Sequence, residues 1–192
     1  RLFYGGFLMR ALDDLDGAMK QFIEGERIDP SSAQIQLEIA RISLYEKRFQ
    51  DAQDYVSKLM NHANLREWDR KKMYDLSLQI HQREADHHIS HRDYGQALTS
   101  LQKLQSTYIS CPITIIDHEM NIKLERGATI ARACARNLVD PDLNKSANDL
   151  ADWMSQEVNT KLGKTVLHTI TGTGTIHKIF ADKQYGFINS HD

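Results

Sequence analysis

Along the first 160 positions, apolar side chains recur every three or four residues within long Ala-, Leu-, Gln-, Glu- and Lys-rich stretches. That is the period of helices that each bury one stripe. Three prolines punctuate the chain. Pro30, after Ile28-Asp29, and the run Asp140-Pro141-Asp142 fall where a helix has to stop, because the residue before a proline is pushed out of the helical region. The pattern changes near Thr160. Val166-Leu-His-Thr-Ile-Thr alternates, Thr165, Thr169, Thr171, Thr173 and Thr175 cluster, and Gly163, Gly172, Gly174 and Gly186 all fall in the last stretch. Threonine-rich, glycine-punctuated alternation predicts strands and turns. The expected architecture is all-α over residues 1–160, followed by the start of a β module over 161–192.

The helical part repeats. Ala18 and Ala52 lie 34 residues apart, and the same offset relates Gly6 to Ala40, Leu15 to Phe49 and Phe22 to Val56. A small residue recurs twelve positions before the alanine, and bulky ones flank it at minus three and plus four. Paired helices that approach closely need this arrangement, with small residues at the contact and large ones filling the space beside it. Units span Leu2–Asp29 and Ser32–His62. A third unit is set on Ala85, Tyr94, Ala97 and Leu101, although Ala52 to Ala97 is 45 residues. The extra length lies in Asn64–His91, which reads as one long first helix. A fourth hairpin is expected at about Ile113–Arg136 and Leu143–Val158. The packing residues expected from this pattern are Gly6, Ala18, Phe22, Ala40, Phe49, Ala52 and Ala97.

This spacing resembles the tetratricopeptide repeat family, in which small and large residues alternate over a 34-residue helix–turn–helix unit. The resemblance implies a helical-hairpin solenoid with a concave face that takes a peptide, another protein or a sister domain. A plain spacer between domains is the other reading.

In the terminal segment, Tyr185 and Phe187 sit two apart on a strand, so they share one face, with Gly186 leaving their flanks open. Flat rings displayed this way stack on unpaired bases, and Lys178 and Lys183 supply charge for phosphates. An aromatic hairpin that fills a core is the alternative. The run Gly174–Ile188, with Lys183-Gln184-Tyr185-Gly186-Phe187-Ile188, resembles the opening of a cold-shock domain, a five-stranded OB-like barrel. Lys178 stands where that family has an exposed Trp. The resemblance covers about residues 166–192, and so a truncated barrel. It implies single-stranded RNA or DNA as partner, bound through Tyr185, Phe187, Lys178 and Lys183.

Composition narrows the function classes. The chain has 192 residues, 41% hydrophobic and 26% charged, with 24 basic and 26 acidic side chains for a net charge of −2. No global basic field draws nucleic acid or anionic lipid, and no apolar run has the ~18 residues of a membrane span. The first residue is Arg1, with no signal-peptide pattern, and the chain reads as a segment of a longer cytoplasmic protein. Cys111 and Cys134 have no close second cysteine, so they read as small buried hydrophobes in a reducing compartment.

His81, Glu84, His88 and His91 fall close to one face of the long third-unit helix, with Asp86, His87 and Asp93 nearby. They form the one candidate metal set, weighed against an ordinary solvated or partner-facing surface. Asp13, Asp14, Asp16, Glu24 and Glu26 read as exposed helical carboxylates, and Trp68 and Trp153 as packing anchors. Nucleophile-elbow, phosphate-loop and dinucleotide motifs are absent from the sequence. No cofactor is expected. The expected function is a non-catalytic scaffold of a larger multidomain protein, binding a protein segment through its repeats and single-stranded nucleic acid through its β module. The competing expectation is a regulatory or spacer region of a large signalling or defence NTPase, without nucleic-acid binding of its own.

Overall fold

The computed structural model describes residues 1–62, 65–161, 174–180 and 185–190. The chain divides into two compact units, Arg1–Val158 and Asn159–Asp192. The first is helical and holds α1 (Leu2–Ala11), α2 (Leu15–Ile28), α3 (Ala33–Tyr45), α4 (Phe49–Met60), α5 (Glu67–Ser90), α6 (Tyr94–Ser110) and α7 (His118–Asn137), with α8 running over Pro141–Lys161. In the second unit, β1 (Gly174–Phe180) pairs antiparallel with β2 (Tyr185–Ser190).

The helices pair in sequence order. Those of hairpins one to three, α1/α2, α3/α4 and α5/α6, pack on one another, and each later first helix also packs on the preceding second helix: α3 on α2, α5 on α4 and α7 on α6. First helices meet as well, α3 with α5 and α5 with α7. Three apolar clusters follow this order. Leu8, Ala18 and Phe22 join Ile35, Ile39 and Ile42 of α3. The opposite side of α3, at Leu37, Ala40 and Leu44, joins Ala52, Val56 and Leu59 of α4 and Met73, Leu76 and Ile80 of α5. The largest cluster runs from Leu78 of α5 through Leu101, Leu104 and Leu124 to Ala151 and Met154 of α8. Helices α3 and α5 each carry two apolar faces, and so couple neighbouring clusters.

Polar residues set the helix starts. Asp14, Asp93 and Asp117 cap α2, α6 and α7, accepting from the amides of Gly17 at 2.8 Å, Gln96 at 3.1 Å and Met120 at 3.0 Å. Such a cap satisfies an amide that has no partner within its own helix. Removing one by Asp93→Ala is expected to lower stability by about 1 kcal/mol, read as an earlier denaturation midpoint with unchanged steepness. The Asp117 cap also explains a departure from the periodicity. The seventh helix begins at His118 and not at Ile113, because Ile113–Ile115 forms a separate 3-10 turn.

Each of the first three intrahairpin turns holds one residue at positive φ: Asp13 at 52°, Lys47 at 59° and Arg92 at 60°. These positions keep the 34- and 45-residue offsets seen in the apolar pattern.

In the second unit, the register pairs Ile176 with Ile188, Lys178 with Phe187, Ile179 with Gly186 and Phe180 with Tyr185. A bulge falls between Ile176 and Lys178. The extra residue there is His177, which changes which β1 positions share a face with β2 positions.

Candidate functional site

Ala18, Phe22, Ala40, Ala52 and Ala97 are each fully buried, and Phe49 is half-buried at the start of α4. Gly6 is buried as well, yet a side chain added there would meet the Arg10 guanidinium, at 2.6 Å. The close approach of α1 to α2 occurs one residue earlier. A Cβ on Gly5 would lie 2.5 Å from the Phe22 ring. Two adjacent glycines in a helix cost stability, and here they let α1 settle on an aromatic ring.

Beside that contact lies a groove of about 230 Å3 between the first helices of three hairpins. Its floor is Gly6, Phe22 and Leu37, and its walls are Leu2, Phe3 and Arg10 of α1, Gln34 and Glu38 of α3, and Lys72 of α5. Phe3 is 93% exposed. Glu38 is engaged by Arg41 Nη1, which donates to both its oxygens at 2.8 and 2.9 Å. Arg10 and Lys72 have no carboxylate partner among the described residues. Lys72 Nζ instead lies 5.1 Å from the centroid of the Trp68 ring. Trp68, expected as a packing anchor, is 61% exposed. It stands on α5 beside a second depression of about 350 Å3, whose other side is Thr114–Asp117. Trp153 is half-buried, edge-on to Tyr108 at 6.3 Å.

Further along, the first helices are bridged by ion pairs. Lys123 Nζ donates to Asp75 at 2.6 Å, Arg126 to Asp86 at 2.9 Å, and Lys71 lies 2.8 Å from Asp117. The hydrogen bond and charge of Asp117 raise the Lys71 pKa. Burial works to raise the Asp117 carboxyl, but hydrogen bonds from Lys71 and the Met120 amide outweigh it and hold the group below its usual range. Charges between α5 and α7 are thus matched in place, whereas in the α1–α3–α5 groove the lining acid, Glu38, is taken by Arg41, and Arg10 and Lys72 are left without an ion-pair partner among the described residues.

The histidines separate into two environments. His81 is 8% exposed, with Nδ1 3.8 Å from Glu84 Oε2. Glu84 also accepts from Gln53 Nε2 at 3.1 Å. Burial would raise the Glu84 pKa, but the neighbouring polar groups of His81 and Ser100 and the charge of Lys103 bring it below the ordinary value. This half of the expected solvated face is in fact buried beneath α4 and α6. His87 and His91 meet with tilted rings, centroids 4.3 Å apart, and His87 also meets Phe49 at 5.5 Å. Burial, then the charges of His91, His88 and Lys47, lower the His87 pKa. Among the described residues no group of three or more His, Cys, Asp or Glu is placed to hold a metal.

Cys111 and Cys134 are buried and unbridged, and burial raises the Cys134 thiol to about 11. Asp14 caps α2, and Glu26 accepts from Tyr55 Oη at 2.9 Å. Lys183 lies outside the described residues, while Lys178, Tyr185 and Phe187 occupy the β-ladder positions given above. The register adds Phe180, which the sequence pattern did not single out. No described helix is long and apolar enough to cross a membrane. Comparisons with protein-family models, with curated proteins and with solved structures return no match for this chain.

Proposed function

We propose that residues 1–160 form a tetratricopeptide-like solenoid that holds an extended segment of a partner protein against the face of its first helices. The observation that carries this reading is the α1–α3–α5 groove, with its apolar floor, its exposed Phe3 and two cations that lack acids. Such a surface suits a segment carrying apolar and acidic side chains. The order of helix contacts supports the solenoid, since each hairpin touches its sequence neighbours. The chain acts as a non-catalytic, cytoplasmic scaffold without a cofactor.

The test is selection from a displayed random-peptide library, followed by anisotropy titration of the enriched peptides. Enriched sequences should combine Asp or Glu with Leu or Phe, and Lys72→Glu should weaken them about tenfold or more. Peptides without acids, or binding indifferent to Lys72→Glu, would count against the groove.

A second activity is favoured by the β register. Lys178 opposite Phe187 and Phe180 opposite Tyr185 bring one cationic and three aromatic positions together on the ladder. This supports the cold-shock-like reading, in which the module stacks on single-stranded RNA or DNA. Labelled oligo-dT and oligo-U should bind with affinity that falls as salt rises. Substituting both Tyr185→Ala and Phe187→Ala should remove about 1–3 kcal/mol per stacked base. Absence of both oligonucleotide and peptide binding would leave the spacer or regulatory region of a large signalling or defence NTPase.

A further inference from the structure

The last turn of α5 brings two imidazoles together. His87 and His91 stand four residues apart, with ring centroids 4.3 Å apart and planes tilted by 51°. His91 ends the helix, and its ring folds back over the turn it closes, so that Nδ1 lies 2.8 Å from the His87 carbonyl oxygen. A carbonyl oxygen accepts and never donates. Nδ1 of His91 therefore carries the hydrogen, and the lone pair of the neutral ring is on Nε2. Ser90 Oγ donates to the same carbonyl at 2.6 Å and sits 3.1 Å from His91 Nδ1. A metal-bound histidine almost always has its other ring nitrogen engaged in this way, by a backbone carbonyl or a carboxylate that fixes tautomer and orientation. The His87 ring rests against Phe49, and its nitrogens have no hydrogen-bond partner among the described residues.

The spacing suits a shared ion. Two imidazoles on one metal, with bonds of about 2.0–2.1 Å, hold their centroids roughly 4.5–5 Å apart. A small rotation of the exposed His91 ring or the half-buried His87 ring reaches that separation. His88 lies one residue further on, about 100° around the helix, with its ring edge-on to His87 at 5.9 Å.

The donor set selects the ion. Nearby carboxylates are taken, Asp86 by Arg126 and both Glu46 and Asp51 by Arg48, which leaves two neutral nitrogens. Magnesium and calcium require oxygen ligands, whereas imidazole suits copper, nickel and zinc. The C-terminal end of α5 favours a cation, against the charge of Lys47, which acts on His87 from the α3–α4 turn. We infer that His87 and His91 form a two-histidine clip for Cu2+, Ni2+ or Zn2+, bound through His91 Nε2 and a ring nitrogen of His87, with water in the remaining positions. With two protein ligands in place of the three or four of catalytic and structural sites, the ion is exchangeable. The clip lies at the other end of α5 from Trp68 and Lys72, and does not rest on the peptide reading.

The experiment is calorimetric titration of the full chain with CuCl2, NiCl2, ZnCl2 and MgCl2, each alone, at mildly alkaline pH in a buffer that does not bind metals. Cu2+ should bind with Kd of about 100 µM or tighter, Ni2+ and Zn2+ more weakly, and Mg2+ not measurably. His87→Ala and His91→Ala should each weaken the tightest copper site about tenfold or more, while His88→Ala leaves it unchanged. The unmodified chain supplies a second readout that holds even if a variant misfolds. On adding Zn2+, the ring nitrogen resonances of His87 and His91 should shift, while those of His62, His81 and His118 stay in place. Failure of all three transition metals to bind at that strength would overturn the inference. So would a copper site indifferent to both His87→Ala and His91→Ala, an equal loss with His88→Ala, or nitrogen shifts confined to other histidines.

Discussion

Phe22→Ala is expected to cost about 3–5 kcal/mol and to release the first hairpin before the rest of the helical unit. The ring is fully buried, closes against Gly5 of α1, and joins the cluster that includes Ile35, Ile39 and Ile42 of α3. It therefore links hairpin one to hairpin two, and it also forms the floor of the groove. Truncation leaves a cavity that α1 is poorly placed to fill, because its facing residue is a glycine. In a stack whose units contact only neighbours, lost stability stays local. Native-state amide exchange should quicken over α1 and α2, while α6 and α7 keep their protection. Uniform acceleration along the whole unit would contradict nearest-neighbour coupling.

The second large effect lies in the other direction along the stack. Leu101→Ala should cost about 2–5 kcal/mol, and here the loss should spread over α5 to α8. Leu101 is fully buried in the largest cluster, which draws on all four of those helices. It also lies beside Gly127 of α7, where an added Cβ would meet Met154 sulfur at 3.0 Å and Leu101 Cδ2 at 3.7 Å. A side chain on α6 thus touches the site at which α7 and α8 approach. Denaturant unfolding followed by Trp153 fluorescence should show an earlier midpoint. An unchanged midpoint would show that the cluster repacks without loss.

These contrasts explain what could be read from the chain itself. Ala18, Ala52 and Ala97 were legible because a small residue at a helix crossing leaves its mark at a fixed offset, and all three are buried. The long α5 was legible as surplus length between Ala52 and Ala97. The choice between Gly5 and Gly6 was not, since adjacent helical residues differ by about 100° and only the partner ring decides which one meets it. Trp68 and His81 reversed their expected exposure for a related reason. Helix α5 packs against α3, α4, α6 and α7, so no single polar stripe marks its outside, and periodicity loses its direction. The burial of Asp69 was not legible either: a carboxylate in the first turn of a helix is common at exposed positions, and its pairing with Arg66 three residues earlier fits an exposed helix start as well as the buried one found. In the β unit, the alternation over residues 166–171 lies outside the described residues, and in the described ladder the bulge at His177 sets the register that brings Phe180 opposite Tyr185.

Receipt of a partner by the face of the first helices, as proposed, is measured most directly by hydrogen exchange of the chain with and without a saturating selected peptide. Slowed exchange confined to α1, α3 and the first turns of α5 is the expected result. Protection confined to α2, α4 and α6, with those three segments unchanged, would contradict it.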